Sequence, residues 1–167
     1  AALDNKPVLG INAGRMGYLA NIEQNELNML SKLTSGEYFI EKRMMLDIRV
    51  VENGNVINEF TALNDAVITS GFISRIVDIS VSVGKDTINY LADGLIVSTP
   101  TGSTAYSLSV GGPIIVPQSD TMSLTPVAPH SLNMRPIVLC DDSEVELCVE
   151  SRSHNFLISI DGRSRSY

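Results

Sequence analysis

The chain has 167 residues, of which 44% are hydrophobic and 19% charged, enough for one good core or two small ones and too apolar for a disordered polypeptide. Its formal net charge of −7 argues against a nucleic-acid surface, which normally needs a basic stripe, though not against a nucleotide, which needs only a few local donors such as Arg15, Arg43, Arg75 or Arg135. No apolar run approaches a membrane span, no signal-peptide pattern opens the chain, and Cys140 and Cys148 lack metal-site spacing, so they read as reduced thiols of a cytoplasmic protein.

In chain order, Pro7 to Ile11 is a short apolar strand. The run "KPVLGI" reads as a strand already under way in a larger fold, so the sequence is expected to be part of a longer subunit. The turn "GINAGRMGY" (Gly10 to Tyr18) stands between that strand and a helix, a context that suits a dinucleotide-binding turn. Its spacing departs from G-x-G-x-x-G, and no acidic residue follows a second strand about 20 residues on. The spacing therefore favours glycines placed for steric reasons. Asn21 and Gln24 have capping-box spacing, Leu27, Leu30 and Leu33 recur at helical intervals, and Gly36 closes the helix.

Beyond Gly36 the period changes to two. Leu46–Val50, Val77–Val83 and Val145–Val149 alternate, Asn53-Gly54 signals a hairpin, and Phe156–Ile160 is a further strand. A second helix is expected only over Thr104–Val110, with Ser103 as N-cap and Gly111-Gly112 as the stop. The pattern predicts a short βα opening followed by a mostly β domain of two packed sheets.

Two stretches carry candidate chemistry. "TALNDAVI" (Thr61 to Ile68) sets Asn64 and Asp65 in a core-like segment, where polar groups are costly without partners. They either hydrogen-bond a ligand or form a strand-end turn that satisfies its own backbone. "DGLIVSTPTGSTAY" (Asp93 to Tyr106) runs from a buried-looking strand into Thr99, Thr101, Ser103, Thr104 and Tyr106. It lacks the lysine of a Walker loop and the second glycine of a nucleophile elbow. What remains is either a well-capped helix or a cradle of hydroxyls and free amides at Thr104 and Ala105, with Asp93 able to accept from a ribose or carboxamide. His130 and His154 form no legible Ser-His-Asp arrangement, and His130, between prolines, reads as fixing a loop.

Taken in order, "PVLGINAGRMGYLA", "RMMLDI", "ALNDAVI", "DGLIVSTPTGSTAYSLSVGGPIIVP", "LTPVAPHSLNMRPIVL" and "ISIDGR" resemble the NAD kinase family from Pro7 to about Gly162. The resemblance implies transfer of a phosphoryl group from ATP, with a divalent metal such as magnesium, or from polyphosphate, to the 2′-hydroxyl of NAD. It implies residues 1–36 as the end of an N-terminal α/β domain and 37–167 as a C-terminal β-sandwich NAD-binding domain. It also implies homodimers or homotetramers whose sites share residues of two subunits. By position, Asn64, Asp65, Arg75, Asp93 and the run Thr104, Ala105, Tyr106 to Ser109 line the NAD pocket, with Thr101 and Tyr18 as neighbours and Ala128 against the adenine.

Two departures accompany it. The family's Gly-Gly-Asp-Gly motif, whose aspartate is held to be the general base, is absent from these residues and expected upstream of Ala1. The chain also ends soon after Asp161-Gly162-Arg163, where the family commonly has glutamine at the third position. These residues are accordingly expected to supply the NAD pocket and an oligomer interface and to be inactive alone. The alternative is a non-catalytic β-sandwich that senses NAD or NADP or mediates oligomerisation.

Overall fold

The computed structural model describes residues 6–14, 19–70, 76–131, 133–150 and 156–167. They fall into two compact units, Ala1–Lys42 and Arg43–Tyr167. In the first, β1 (Ile11–Asn12) pairs in parallel with β2 (Ile22–Glu23), a shorter strand than the apolar run from Pro7 suggests. The following helix starts two residues later than the Asn21 signal. Glu23 N–H donates to the Glu26 carboxylate at 3.2 Å, a 3-10 stretch Gln24–Leu30 kinks at Glu26, and α1 (Ser31–Ser35) ends on Gly36 at φ 77°.

The second unit is mainly β. Its strands are β3 (Leu46–Glu52), β4 (Asn55–Ala62), β5 (Asp65–Ser70), β6 (Val77–Val83), β7 (Asp86–Ala92) and β8 (Gly94–Ser98), followed by α2 (Tyr106–Ser109). Then come β9 (Thr121–Val127), β10 (Ile137–Cys140), β11 (Val145–Glu150), β12 (Phe156–Ile160) and β13 (Arg163–Ser166). They form a six-stranded sheet in the order β10-β9-β8-β5-β12-β13, a three-stranded sheet β11-β6-β7 and the hairpin β3-β4.

Alternation explains the packing. Val77, Ile79 and Val81 of β6, with Tyr90 of β7, share one core with Ala66 and Ile68 of β5, Leu95 and Val97 of β8, and Leu124 of β9. The other face of the six-stranded sheet carries Val67, Ile96, Ser98, Ser123 and Thr125, which are also buried. Part of its cover is the segment after β8, since Ser107 of α2 hydrogen-bonds Thr125 of β9 at 3.1 Å. Both faces of β8 are therefore dry, which is why Leu95-Ile96-Val97 reads as a continuous apolar run and not an alternating one.

The order β8-β5-β12 fixes what meets what. The start of β5 lies beside the end of β8, with Asp65 opposite Ser98, and beside the β12–β13 turn, with Ala66 opposite Ile160.

Candidate functional site

At that junction the chain from Leu63 to Asp65 is held by hydrogen bonds on every peptide group. The Asp161 carboxylate accepts from Leu63 N–H at 2.8 Å, Asn64 N–H at 2.7 Å and Asp65 N–H at 3.1 Å. Asp161 N–H in turn donates to Asp65 C=O at 3.1 Å, and Thr99 N–H donates to Asn64 C=O at 2.9 Å. The Thr99 hydroxyl donates to Leu63 C=O at 2.5 Å, and the Ser98 hydroxyl to Asn64 C=O at 3.4 Å. Buried peptide groups need partners, and here distant residues provide them. The Asn64 and Asp65 side chains are thereby released from capping their own turn, which removes the self-satisfied strand-end turn as an explanation for them.

The fit is close on the β8 side as well. Gly102 packs on the Asn64 backbone so tightly that a Cβ there would collide with the Asn64 carbonyl. Its N–H donates to the Thr99 hydroxyl at 3.1 Å. Thr101 is buried, and Arg43 Nη1 lies 3.4 Å from its hydroxyl. Asn64, Asp65, Thr101 and Thr104 thus share one corner of the fold, Thr104 donating to Thr101 C=O at 3.4 Å.

Asp65 is 5% exposed. Burial pushes its carboxyl above the ordinary carboxylate value, and the Asp161 charge pushes it further the same way. An acid in that setting takes stabilisation from any donor brought to it, which is the behaviour wanted of a group that meets ligand hydroxyls or amides.

The segment after Gly102 departs from the expected capped helix. A 3-10 turn, Gly102–Thr104, precedes α2, and the chain breaks between them at Ala105 (φ −92°, ψ −126°) with no side-chain cap. Ser103 is buried and acts as a stitch, donating to Pro100 C=O at 2.7 Å and accepting from Ile115 N–H at 3.1 Å. Ala105 N–H donates to Gly102 C=O at 2.8 Å, so it is not the free amide the sequence suggests. What the segment turns outward is Ala105, Tyr106, Leu108 and Ser109, whose hydroxyl donates to Tyr106 C=O at 2.8 Å.

Asp93 and Ala128 lie elsewhere. Both are exposed and adjoin each other at the opposite end of β8, where Asp93 N–H donates to Val127 C=O at 3.0 Å and Ala128 takes a left-handed φ of 44°. The five residues of β8 separate them from the Asn64 corner by roughly 17 Å. Tyr18, Arg75 and His154 lie outside the described residues. His130 is exposed and fixes its loop through its backbone, donating to Leu91 C=O at 2.9 Å. Asp161 is the site residue that sequence reasoning passed over, because Asp-Gly between two strands signals only a turn.

Known proteins resemble this chain in sequence and in fold. A family model described as the ATP-NAD kinase C-terminal domain matches residues 63–167. A Bacteroides fragilis protein named NAD kinase is 50% identical over 162 residues, spanning 96% of this chain and 56% of that protein. One from Heliobacterium modesticaldum is 44% identical over 165 residues, spanning 98% and 58%. The chain thus spans little more than half the length of the curated relatives it matches.

Among solved structures, a yeast NADH kinase complexed with NADH superimposes with a TM-score of 0.86 at 28% identity, over 95% of this chain and 47% of that one. An Archaeoglobus fulgidus NAD kinase in complex with ATP superimposes with a TM-score of 0.77 at 26% identity, over 96% and 61%. The match of that family model to residues 63–167 shows that the chain belongs to the NAD kinase family, whose C-terminal domain it contains.

Proposed function

We propose that the protein phosphorylates NAD at its 2′-hydroxyl, using ATP or polyphosphate, and that the residues of this chain hold the acceptor. The observation that carries the reading is the corner in which Asn64 and Asp65 have their backbone fully satisfied and their side chains left for a ligand. The named activity of the relatives supports it. Asn64 and Asp65 take NAD hydroxyl or amide groups, Thr101 and Thr104 line the same corner, and Tyr106 and Ser109 flank it, with Ala105 in contact. Tyr18 and Arg75 complete the set by resemblance.

Phosphoryl transfer asks mainly for positioning and charge neutralisation. Magnesium carried on the phosphates of ATP would neutralise their charge. The 167 residues contain no Gly-Gly-Asp-Gly, and the general base is proposed to come from such a motif; these residues by themselves bind NAD without phosphorylating it. Asp93 and Ala128, a strand's length from Asn64, serve the pocket of a second copy, Ala128 at the adenine, which makes the working protein a homo-oligomer. Two free cysteines, Cys140 and Cys148, suit a cytoplasmic setting.

The test is NADP formation by the intact protein, followed with an NADP-specific dehydrogenase. Asp65→Ala and Asp93→Ala are each expected to lower kcat/KM for NAD by about tenfold to 150-fold, the worth of one hydrogen bond to a charged group. Mixing the two variants is expected to restore part of the activity, because one shared site regains both residues. No NADP from the intact wild-type protein, despite measurable NAD binding, would leave the sensing module as the better reading.

A further inference from the structure

Four of the seven hydrogen bonds that fix Leu63 to Asp65 involve Asp161, a residue of the β12–β13 turn. The turn holds Asp161 at φ 46° and Gly162 at φ 76°, so the carboxylate projects from the hairpin tip with its direction set by the backbone. One oxygen, Oδ1, accepts from Asn64 and Asp65; the other, Oδ2, accepts from Leu63. Three amide donors around one carboxylate make a charge-assisted clamp, and it grips the backbone, leaving the Asn64 and Asp65 side chains free. Asp161 closes the arrangement on its own main chain by donating N–H to Asp65 C=O.

From this geometry we infer that Asp161 is a positioning residue for the acceptor: by holding the Leu63–Asp65 amides it sets the direction in which Asn64 and Asp65 meet NAD. The inference rests on the proposed role of those two residues. It assigns Asp161 no contact with substrate. Its negative charge beside the buried Asp65 also raises that carboxyl, so the clamp aims Asp65 and keeps it receptive to donors.

The test uses the intact protein with Asp161→Gly, Asp161→Asn and, as a control, Asn64→Ala. Glycine keeps the left-handed turn and deletes all acceptors. Asparagine keeps the turn and one acceptor oxygen, but presents an amide where Leu63 N–H needs an acceptor. Asp161→Gly is expected to raise KM for NAD by about tenfold or more, with KM for ATP within about twofold and Asp161→Asn in between.

A folded Asp161→Gly protein with unchanged KM for NAD overturns the inference. So does a loss confined to kcat, which reports fewer folded molecules and nothing about aim. If the glycine variant does not fold, Asp161→Asn decides by the same criteria. If Asn64→Ala itself leaves KM for NAD unchanged, the role of Asn64 falls and the clamp with it; if Asn64→Ala raises KM and Asp161→Gly does not, the clamp alone falls.

Discussion

Two hairpins of the same unit close on the same turn chemistry and differ in everything the first turn residue does. Asn53-Gly54, at φ 50° and 78°, joins β3 to β4; Asp161-Gly162, at φ 46° and 76°, joins β12 to β13. Two successive left-handed residues match the twist of paired strands, which is why Asn-Gly and Asp-Gly are favoured there. Around the first turn the contacts stay local, as where the Asn55 amide donates to Asn53 C=O at 3.3 Å. Around the second, the aspartate spans 96 to 98 residues of sequence to hold three amides. A residue selected for its backbone can thus be recruited for its side chain, and nothing local in the sequence announces the recruitment.

The contrast can be broken most directly by substituting both residues with alanine. Asn53→Ala and Asp161→Ala each keep a Cβ at positive φ and lose the short polar side chain that lets Asn and Asp tolerate it, a similar cost at the two turns. Only Asp161→Ala also strands three donors, which adds roughly 1–3 kcal/mol. Urea unfolding of the intact protein is expected to show the larger loss at Asp161 by about 2 kcal/mol; equal losses would mean that the long-range bonds contribute nothing. The glycines sharpen the comparison from the other side. Gly54→Ala and Gly162→Ala are expected to cost a similar amount, about 1–2 kcal/mol each, because their φ values are nearly the same and neither Cβ meets a neighbour.

The smallest effect concerns the charge that the second turn faces. Asp65 has its carboxyl raised above the ordinary 3.8 by burial first and by Asp161 second. The native state therefore binds the proton more tightly than the unfolded chain does. The stability this contributes is fully present below the ordinary carboxylate value and is lost as pH rises through the raised one. Asp65→Asn is accordingly expected to raise the unfolding midpoint at pH 7, with the advantage shrinking as pH falls into the carboxylate range, while NAD use declines. No change in midpoint between pH 4 and 7 relative to wild type would mean that the corner is solvated.

Much of the fold is legible because burial of one sheet face imposes period two. Val77–Val83 and Val145–Val149 alternate for that reason, and they pair with each other in the three-stranded sheet. Asn53-Gly54 is legible because few residues tolerate its backbone. The helix at Thr104 is misread because Ser103 has the chemistry of an N-cap but is drawn under the loop, where Pro100 C=O and Ile115 N–H claim its hydroxyl. Local propensity carries no information about a competing tertiary partner. The corner is legible only in part. Asn64 and Asp65 stand out as polar residues in an apolar run, whereas Asp161 hides in an ordinary turn signal and Asp93 sits near Tyr106 in sequence but at the far end of β8 from the Asn64 corner in space.

The adjacency of β5 and β12 has a temporal side. A chain made from its N-terminus exposes Asn64 and Asp65 long before Asp161 exists, and contacts of such sequence separation are slow to form. During that interval the Leu63–Asp65 amides lack the carboxylate that fixes them. The corner is therefore set only once the last hairpin has paired with β5, and a nascent or nicked chain that lacks this hairpin is left without its clamp.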